Sequence, residues 1–411
     1  MNDYITQKPF ANTFLSSLVF TPSLLPFTNE EIKRIDTQLG EYEQIFLNPD
    51  IERNLISRNE LLASFAISKA ENSSLTLKEA QDVYDVILSN EEYTFISDKI
   101  KAKQKLTRKD YEKLEFFNIA KTFRSLNQSP LKIDDVSPDT ILDIHNSLSK
   151  GLDIFAKYLP DFTVYKAGNF RDNDLIRVGT YTPAPHKEIE KGVEELLTWL
   201  KEHKTITDVA LFHTALYALH PFNNGNKRVC RVLEHPFFRN LGINQKNLYS
   251  TSYYYHKQKE RYYKYLLYSL ERKNLNHFVS FIQEALVLSM IDVVKLSLEA
   301  KRNEFLERQD TDNQIKSILK PLIKRSELQF KNLFKHSKGK IARQTFVNYL
   351  QKATDEAIVT KREEGRTTYY GFNLKTPQQE EGTLKEWLKF AKQRLSFIYL
   401  TNSSLQLLGR D

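Results

Sequence analysis

The run His220-Pro221-Phe222-Asn223-Asn224-Gly225-Asn226-Lys227-Arg228-Val229-Cys230-Arg231 leaves the surrounding chain the fewest choices. Val209, Phe212, Leu216 and Leu219 recur at helical spacing ahead of it, so an apolar-faced helix delivers the chain to His220 and stops before Pro221. Asn223, Asn224, Gly225 and Asn226 are turn formers, and NKRVCRVLE reads as a second helix from about Asn226. The loop therefore sits on a helix N-terminus. There the unpaired backbone N–H groups and the positive end of the helix dipole converge, and such a place takes anions, phosphates above all. Arg228 and Arg231, three apart, lean to one face of the new helix, while His220 stands on the other edge of the loop. One stretch thus offers a general base, a phosphate cradle and two cationic clamps.

This stretch resembles the signature of the Fic family, HPFx(D/E)GN(G/K)RxxR, at every fixed position but one. The departure is Asn224, where the family carries an acidic residue that holds Mg²⁺. The resemblance covers about residues 50–285 and implies a mainly α protein, a Fic-type helical bundle with a small β-hairpin flap. It implies a protein adenylyltransferase that moves AMP from ATP to a Ser, Thr or Tyr hydroxyl of a target protein or of itself. His220 would be the base, and Gly225, Asn226, Lys227, Arg228 and Arg231 would bind ATP. Asn224 would give Mg²⁺ or Mn²⁺ a weak contact, because an amide oxygen is a poorer ligand than a carboxylate.

Two further stretches carry the likeness. Leu61, Leu62, Phe65, Ala66 and Ala70 form the stripe of a helix over about Ser57–Glu71, whose last turn puts the Glu71 carboxylate at the negative end of the dipole, better placed against an arginine. Ser64–Asn72 is similar to the inhibitory helix of Fic proteins, (S/T)xxxE(G/N), which would set Glu71 against Arg231. Ile67 stands at the Ser/Thr position, with Ser68 one place later. Downstream, Val164-Tyr165 and Leu175–Val178 flank the turn-rich AGNFRDND and read as a hairpin. Ala167–Arg171, Leu175–Gly179 and Pro183-Ala184-Pro185 resemble the Fic flap, so Phe170, Arg171, Leu175 and Ile176 would dock the target as an added strand.

With 411 residues the chain has room for about two or three domains, and 12 glycines and 13 prolines leave long helices uninterrupted. A single cysteine, Cys230, excludes an intrachain disulfide and suits a reducing compartment. No apolar run approaches the roughly 20 residues that span a bilayer, so no membrane role and a cytoplasmic location are expected. A formal charge of +8 allows an acidic partner, although 52 acidic residues are interspersed.

Helical patterns start at Asn29, Leu77, Thr107 and Ser137, and Pro236 should bend or end the signature helix. The tyrosine-rich run Ser252–Tyr268 resembles a Fic helix bordering adenine, with core packing expected for most of its rings. A long helix over Val279–Glu307 leads to a basic segment. There Ser326–Leu333 reads as helix, His336–Gly339 as turn, Ala342–Lys352 as helix, and Ile358-Val359 and Tyr369–Phe372 as strands around a wing. This is the order of a winged helix-turn-helix, in which Arg343, Gln344, Asn348 and Arg362 or Arg366 would read DNA. The domains follow as 1–105 with the inhibitory helix, 106–285 the Fic core, 286–315 a linker helix, 316–375 the winged helix and 376–411 a helix and tail. Other chemistries fit the same signature: removal of AMP, a toxin-like module held off by its own helix, or a weakly active nucleotide sensor that binds DNA. The family resemblance also makes a homodimer a reasonable expectation.

Overall fold

The computed structural model describes residues 5–12, 14–71, 73–89, 93–337, 341–374 and 378–395. The chain forms two compact units, one built from residues up to Gln38 together with Glu52–Met290, the other from Leu39–Ile51 with Ile291–Gln393.

Periodic apolar residues become helices throughout the first unit: α1 (Asn29–Phe46), α2 (Pro49–Ser68), α3 (Leu77–Leu88), α4 (Phe95–Lys101), α5 (Arg108–Gln128), α6 (Pro138–Ser149), α7 (Ile189–Glu202), α8 (Ile206–Leu219), α9 (Asn226–Asn240), α10 (Thr251–Lys257), α11 (Lys259–Glu271) and α12 (Asn276–Glu307), of which α1, α2 and α12 continue into the second unit. Their starts are chemically marked. Thr76, Thr107, Ser137 and Thr205 each accept a bond from the N–H three residues on, which satisfies donors that the helix cannot. α8 is buried on almost every side, so it is the central rod of this unit, and α9 packs directly on it.

In this unit three local expectations are corrected. Pro236 lies inside α9, which runs on to Asn240; burial of His235, Phe237 and Phe238 outweighs the one lost N–H bond. α2 begins at Pro49, well ahead of Ser57, and ends in a single 3₁₀ turn, Lys69–Glu71. The flap is no laddered hairpin: between Val164 and Pro185 the backbone pairing is one bridge, Val178 to Tyr181. Its donors are taken elsewhere, since Arg171 N–H bonds Pro221 O at 2.9 Å and the N–H groups of Tyr165 and Lys166 bond the Asp153 carboxylate at 2.7 and 3.1 Å.

The second unit contains α13 (Asn313–Leu319), β1 (Glu327–Gln329), α14 (Phe330–Lys335), α15 (Arg343–Asp355), β2 (Val359–Glu364), β3 (Thr367–Phe372) and α16 (Gln378–Leu395). The strands form one antiparallel sheet in the order β1-β3-β2, with Leu328 opposite Tyr370 and Arg362 opposite Tyr369. The helix expected over Ser326–Leu333 divides into β1 and α14, because the strand finds a partner in β3. Gly371 permits that pairing: a Cβ there would lie 2.7 Å from the Ser326 carbonyl oxygen. Leu319, Leu328, Leu333, Phe346, Leu350 and Ile358 form the core beneath the sheet. The turn at His336–Gly339 and the tail beyond Leu395 fall partly or wholly outside the described residues.

Candidate active site

α8 stops because His220 takes the left-handed conformation, φ 52° and ψ 60°, with its N–H still bonded to Leu216 O at 3.1 Å. For a residue with a Cβ this costs about 1–2 kcal/mol, so tertiary contacts must hold it. Arg171 supplies them: its Nε donates to His220 O at 2.8 Å. The imidazole is buried edge-on to the Tyr217 ring, centroids 5.0 Å apart. Next the loop closes on itself. Asn226 accepts the Phe222 N–H at 2.9 Å through Oδ1 and returns Nδ2 to Phe222 O at 2.8 Å, so its side chain is a structural clip. Gly225, at φ +86°, caps α9 in the left-handed region that glycine enters freely. The positive end of the α9 dipole thus lies at the loop.

The two arginines have different surroundings. Arg228, 1% exposed, bonds Glu115 Oε1 on α5 at 2.6 Å through Nη1 and Asn224 Oδ1 at 3.1 Å through Nη2, with its guanidinium carbon 5.1 Å from the Tyr165 ring. Arg231, 2% exposed, lies over the Tyr262 and Tyr255 rings at 4.1 and 5.5 Å. Its one hydrogen bond among the described residues goes from Nη1 to Ala66 O at 3.2 Å, and its Nε has no partner. Lys227 lies against the Tyr263 ring at 4.8 Å. The turn that ends α2 is gripped from the same side: Lys259 donates to Lys69 O at 3.3 Å, and the Tyr263 hydroxyl donates to Ala70 O. Cationic and hydroxyl donors on the last carbonyls of a helix complement its dipole. The side chain of Glu71 and all of Asn72 lie outside the described residues.

Two site residues escaped the sequence reading. His145 on α6 stacks on Phe222, centroids 3.8 Å apart and planes within 8°. Its Nδ1 accepts the Gly168 N–H at 3.2 Å, so Nε2 carries the proton and donates to Asn224 O at 3.1 Å. Burial, and after it the nearby Arg228 charge, press its pKa down to about 4, against the opposing pull of the Asn224 carbonyl. His145 therefore ties flap to loop as a neutral ring. Its sequence signal was position, since it lies on the stripe made by Ile141, Ile144 and Leu148. Glu115 is the second, a carboxylate on the buried side of α5, one turn from Tyr111. Of the flap residues expected to dock a target, Arg171 is an interior strut, Phe170 lies near the Phe222 ring at 5.7 Å, Ile176 is half-buried, and Leu175 is 87% exposed.

The site does not fit Asn224 as a protein ligand for Mg²⁺. Its only side-chain oxygen already accepts the Gly225 N–H at 2.8 Å and the Arg228 cation, and a divalent ion there would meet a guanidinium head-on. Among the described residues no cluster of three or more His, Cys, Asp or Glu side chains is placed to hold a metal. No described helix is long and apolar enough to cross a membrane.

Fold and site together define a helical protein in which a buried histidine ends one helix and two buried arginines stand on the next, whose N-terminus opens at the loop between them. Residues 135–238, which carry His145, the flap, His220 and both arginines, match the Fic/DOC family, so this part of the chain is a Fic domain. Over 126 residues it is 30% identical to a probable protein adenylyltransferase of Aquifex aeolicus (strain VF5), covering 29% of this chain and 36% of that protein. Protein adenylyltransferase fic-1 of Caenorhabditis elegans is 28% identical over 126 residues, 29% of this chain and 23% of its own length. The match thus spans about a quarter to a third of these relatives. Among solved structures, a Fic family protein from Desulfovibrio desulfuricans G20 aligns with TM-score 0.49 and 18% identity over 86% of this chain and 99% of that one.

Proposed function

We propose that this protein transfers AMP from ATP to a hydroxyl side chain of a protein, with His220 as base. The observation that carries the reading is Arg231. A guanidinium that is 2% exposed and has, among the described residues, an unpartnered Nε and a single hydrogen bond, in the second turn of a helix whose N-terminal loop begins at a buried histidine, suits an incoming phosphate chain. ATP would lay its phosphates along Gly225 and the first turn of α9, with Arg231 toward the terminal phosphate and Lys227 as a further cation. The target oxygen attacks the α-phosphorus, its proton passes to His220, and pyrophosphate leaves with the α–β bridging oxygen. Any Mg²⁺ arrives with ATP as part of the substrate. The contact from Arg231 to α2, together with the grip of Lys259 and Tyr263 on the following turn, supports self-inhibition in which Glu71 faces Arg231 until α2 moves.

The test uses ATP labelled at the α-phosphate with wild type, Glu71→Gly and His220→Ala. Label on protein that rises in Glu71→Gly and vanishes when His220→Ala is added supports both transfer and self-inhibition. No label in any variant rejects transfer. Loss of label from a pre-modified protein, dependent on Glu71, would instead point to AMP removal.

A second partner is favoured by charge. Residues 313–374 hold 13 Lys and Arg against 5 Asp and Glu, a net +8 equal to that of the entire chain. Arg343, Gln344 and Asn348 lie on the exposed face of α15, and Arg366 is exposed at the wing. Arg362 is committed to Glu327 at 2.7 Å and Glu364 at 2.8 Å, so wing contact falls to Arg366. We infer that this unit binds duplex DNA. Anisotropy of a labelled duplex should show affinity that drops steeply with salt and weakens in Arg343→Ala; binding indifferent to both excludes it.

A further inference from the structure

Arg228 is a buried cation at the base of the phosphate loop, and the neutral Asn224 amide on its Nη2 brings it no countercharge. Glu115 brings one from α5, 113 positions earlier, with its carboxylate 1% exposed and 2.6 Å from Nη1. That carboxylate is itself held in place. Its Oε1 also receives the Tyr111 hydroxyl at 2.5 Å and the Tyr165 hydroxyl at 3.3 Å, and the two phenols are 2.5 Å apart. The Tyr165 ring faces Arg228, and its N–H is fixed by Asp153. Glu115 therefore joins three parts that sequence keeps separate: α5, the root of the flap, and the signature loop. It also lies outside residues 135–238, the part of the chain that matches the family.

We propose that Glu115 is a positioning residue that anchors Arg228 beneath Asn224 and Gly225 and sets the phosphate affinity of the loop by cancelling one unit of its positive charge. The proposal rests on the reading that this loop binds ATP. A guanidinium gripped from both sides is a strut, and a buried carboxylate a few ångströms from an anion site repels the anion through a low-dielectric interior. The arrangement is a charge balance spread over two helices. Arg228 supplies attraction, Glu115 moderates it, and Asn224 fixes geometry without adding charge.

Glu115→Gln keeps shape and an acceptor oxygen while removing the charge. It should bind ATP, measured by titration calorimetry in EDTA, about fivefold more tightly or better, with a steeper salt dependence. Adding Asn224→Asp to Glu115→Gln returns a carboxylate to the other amino group of the same guanidinium and should restore wild-type affinity. Simple structural damage would weaken binding and would not be rescued in this way. Asn224→Asp alone, which needs no change at Glu115, should weaken metal-free ATP binding about fivefold. Folded variants whose affinity matches wild type overturn the role of Glu115 and leave the transferase reading standing. Absence of ATP binding in folded wild type and all three variants overturns the transferase reading itself, and this proposal with it.

Discussion

Replacing Arg171 should loosen the flap and the histidine together. Arg171 is 4% exposed and serves backbone carbonyls on both sides of the site: His220 O at 2.8 Å, Asn173 O at 2.5 Å, Leu219 O at 3.5 Å, and Ala184 O, besides the Asp174 carboxylate at 3.1 Å. In Arg171→Ala the oxygens of His220 and Ala184, both in buried residues, lose a charged donor. Each such loss costs about 1–3 kcal/mol, and loss of the packed side chain adds to it, so the expected destabilisation is about 3–5 kcal/mol. Arg171→Lys offers one ammonium where a planar fork is needed and should recover less than half. The chain has two tryptophans, Trp199 in the first unit and Trp387 in the second, so urea unfolding followed by fluorescence in a Trp387→Phe background reports the first unit alone. A loss under about 1 kcal/mol in Arg171→Ala would refute the view that this residue holds His220 in its left-handed conformation.

Acid should weaken the same unit. Burial holds His145 at a pKa of about 4 and His235 at about 3, below the ordinary 6.5, so the unfolded chain takes up these protons first. Their stabilisation is complete above about pH 6.5 and is lost as the pH falls toward 4 and then 3, with ~2 kcal/mol of the His145 share gone by pH 5. Unfolding free energies at pH 7.5 and 5 should therefore differ less in His145→Gln than in wild type; an equal difference assigns the effect elsewhere. At His220, glycine should be about 1 kcal/mol more stable than alanine, because only glycine enters φ +52° without strain, while both abolish transfer. Equal melting of His220→Gly and His220→Ala would mean the left-handed turn is not strained.

Much of the site was legible because its information is local. Turn formers over Asn223–Asn226, an apolar stripe before His220 and paired arginines after it place a helix stop, a loop and a helix start within a dozen residues. The flap was less legible. Its β-prone runs promise a hairpin, yet Asp153 and Pro221 take the N–H groups that a ladder would need. Likewise, the apolar pattern of Ser326–Leu333 suits a helix until β3 offers a strand partner. Local preference yields wherever a distant backbone satisfies the same donors better.

By itself, then, the amino-acid order determined most of the helices, the turn after His220 and the likeness of that stretch to the Fic signature, since each is written in residues a few positions apart. Tertiary structure alone decided which charges meet. Arg228 faces Glu115 across 113 positions and Arg231 meets the end of α2 across 165, while His145 joins Gly168 to Asn224. A charge on a helix can find its partner on any neighbour that packing brings near, and the choice among carboxylates and carbonyls is made by burial, where an unmatched charge is too costly to keep.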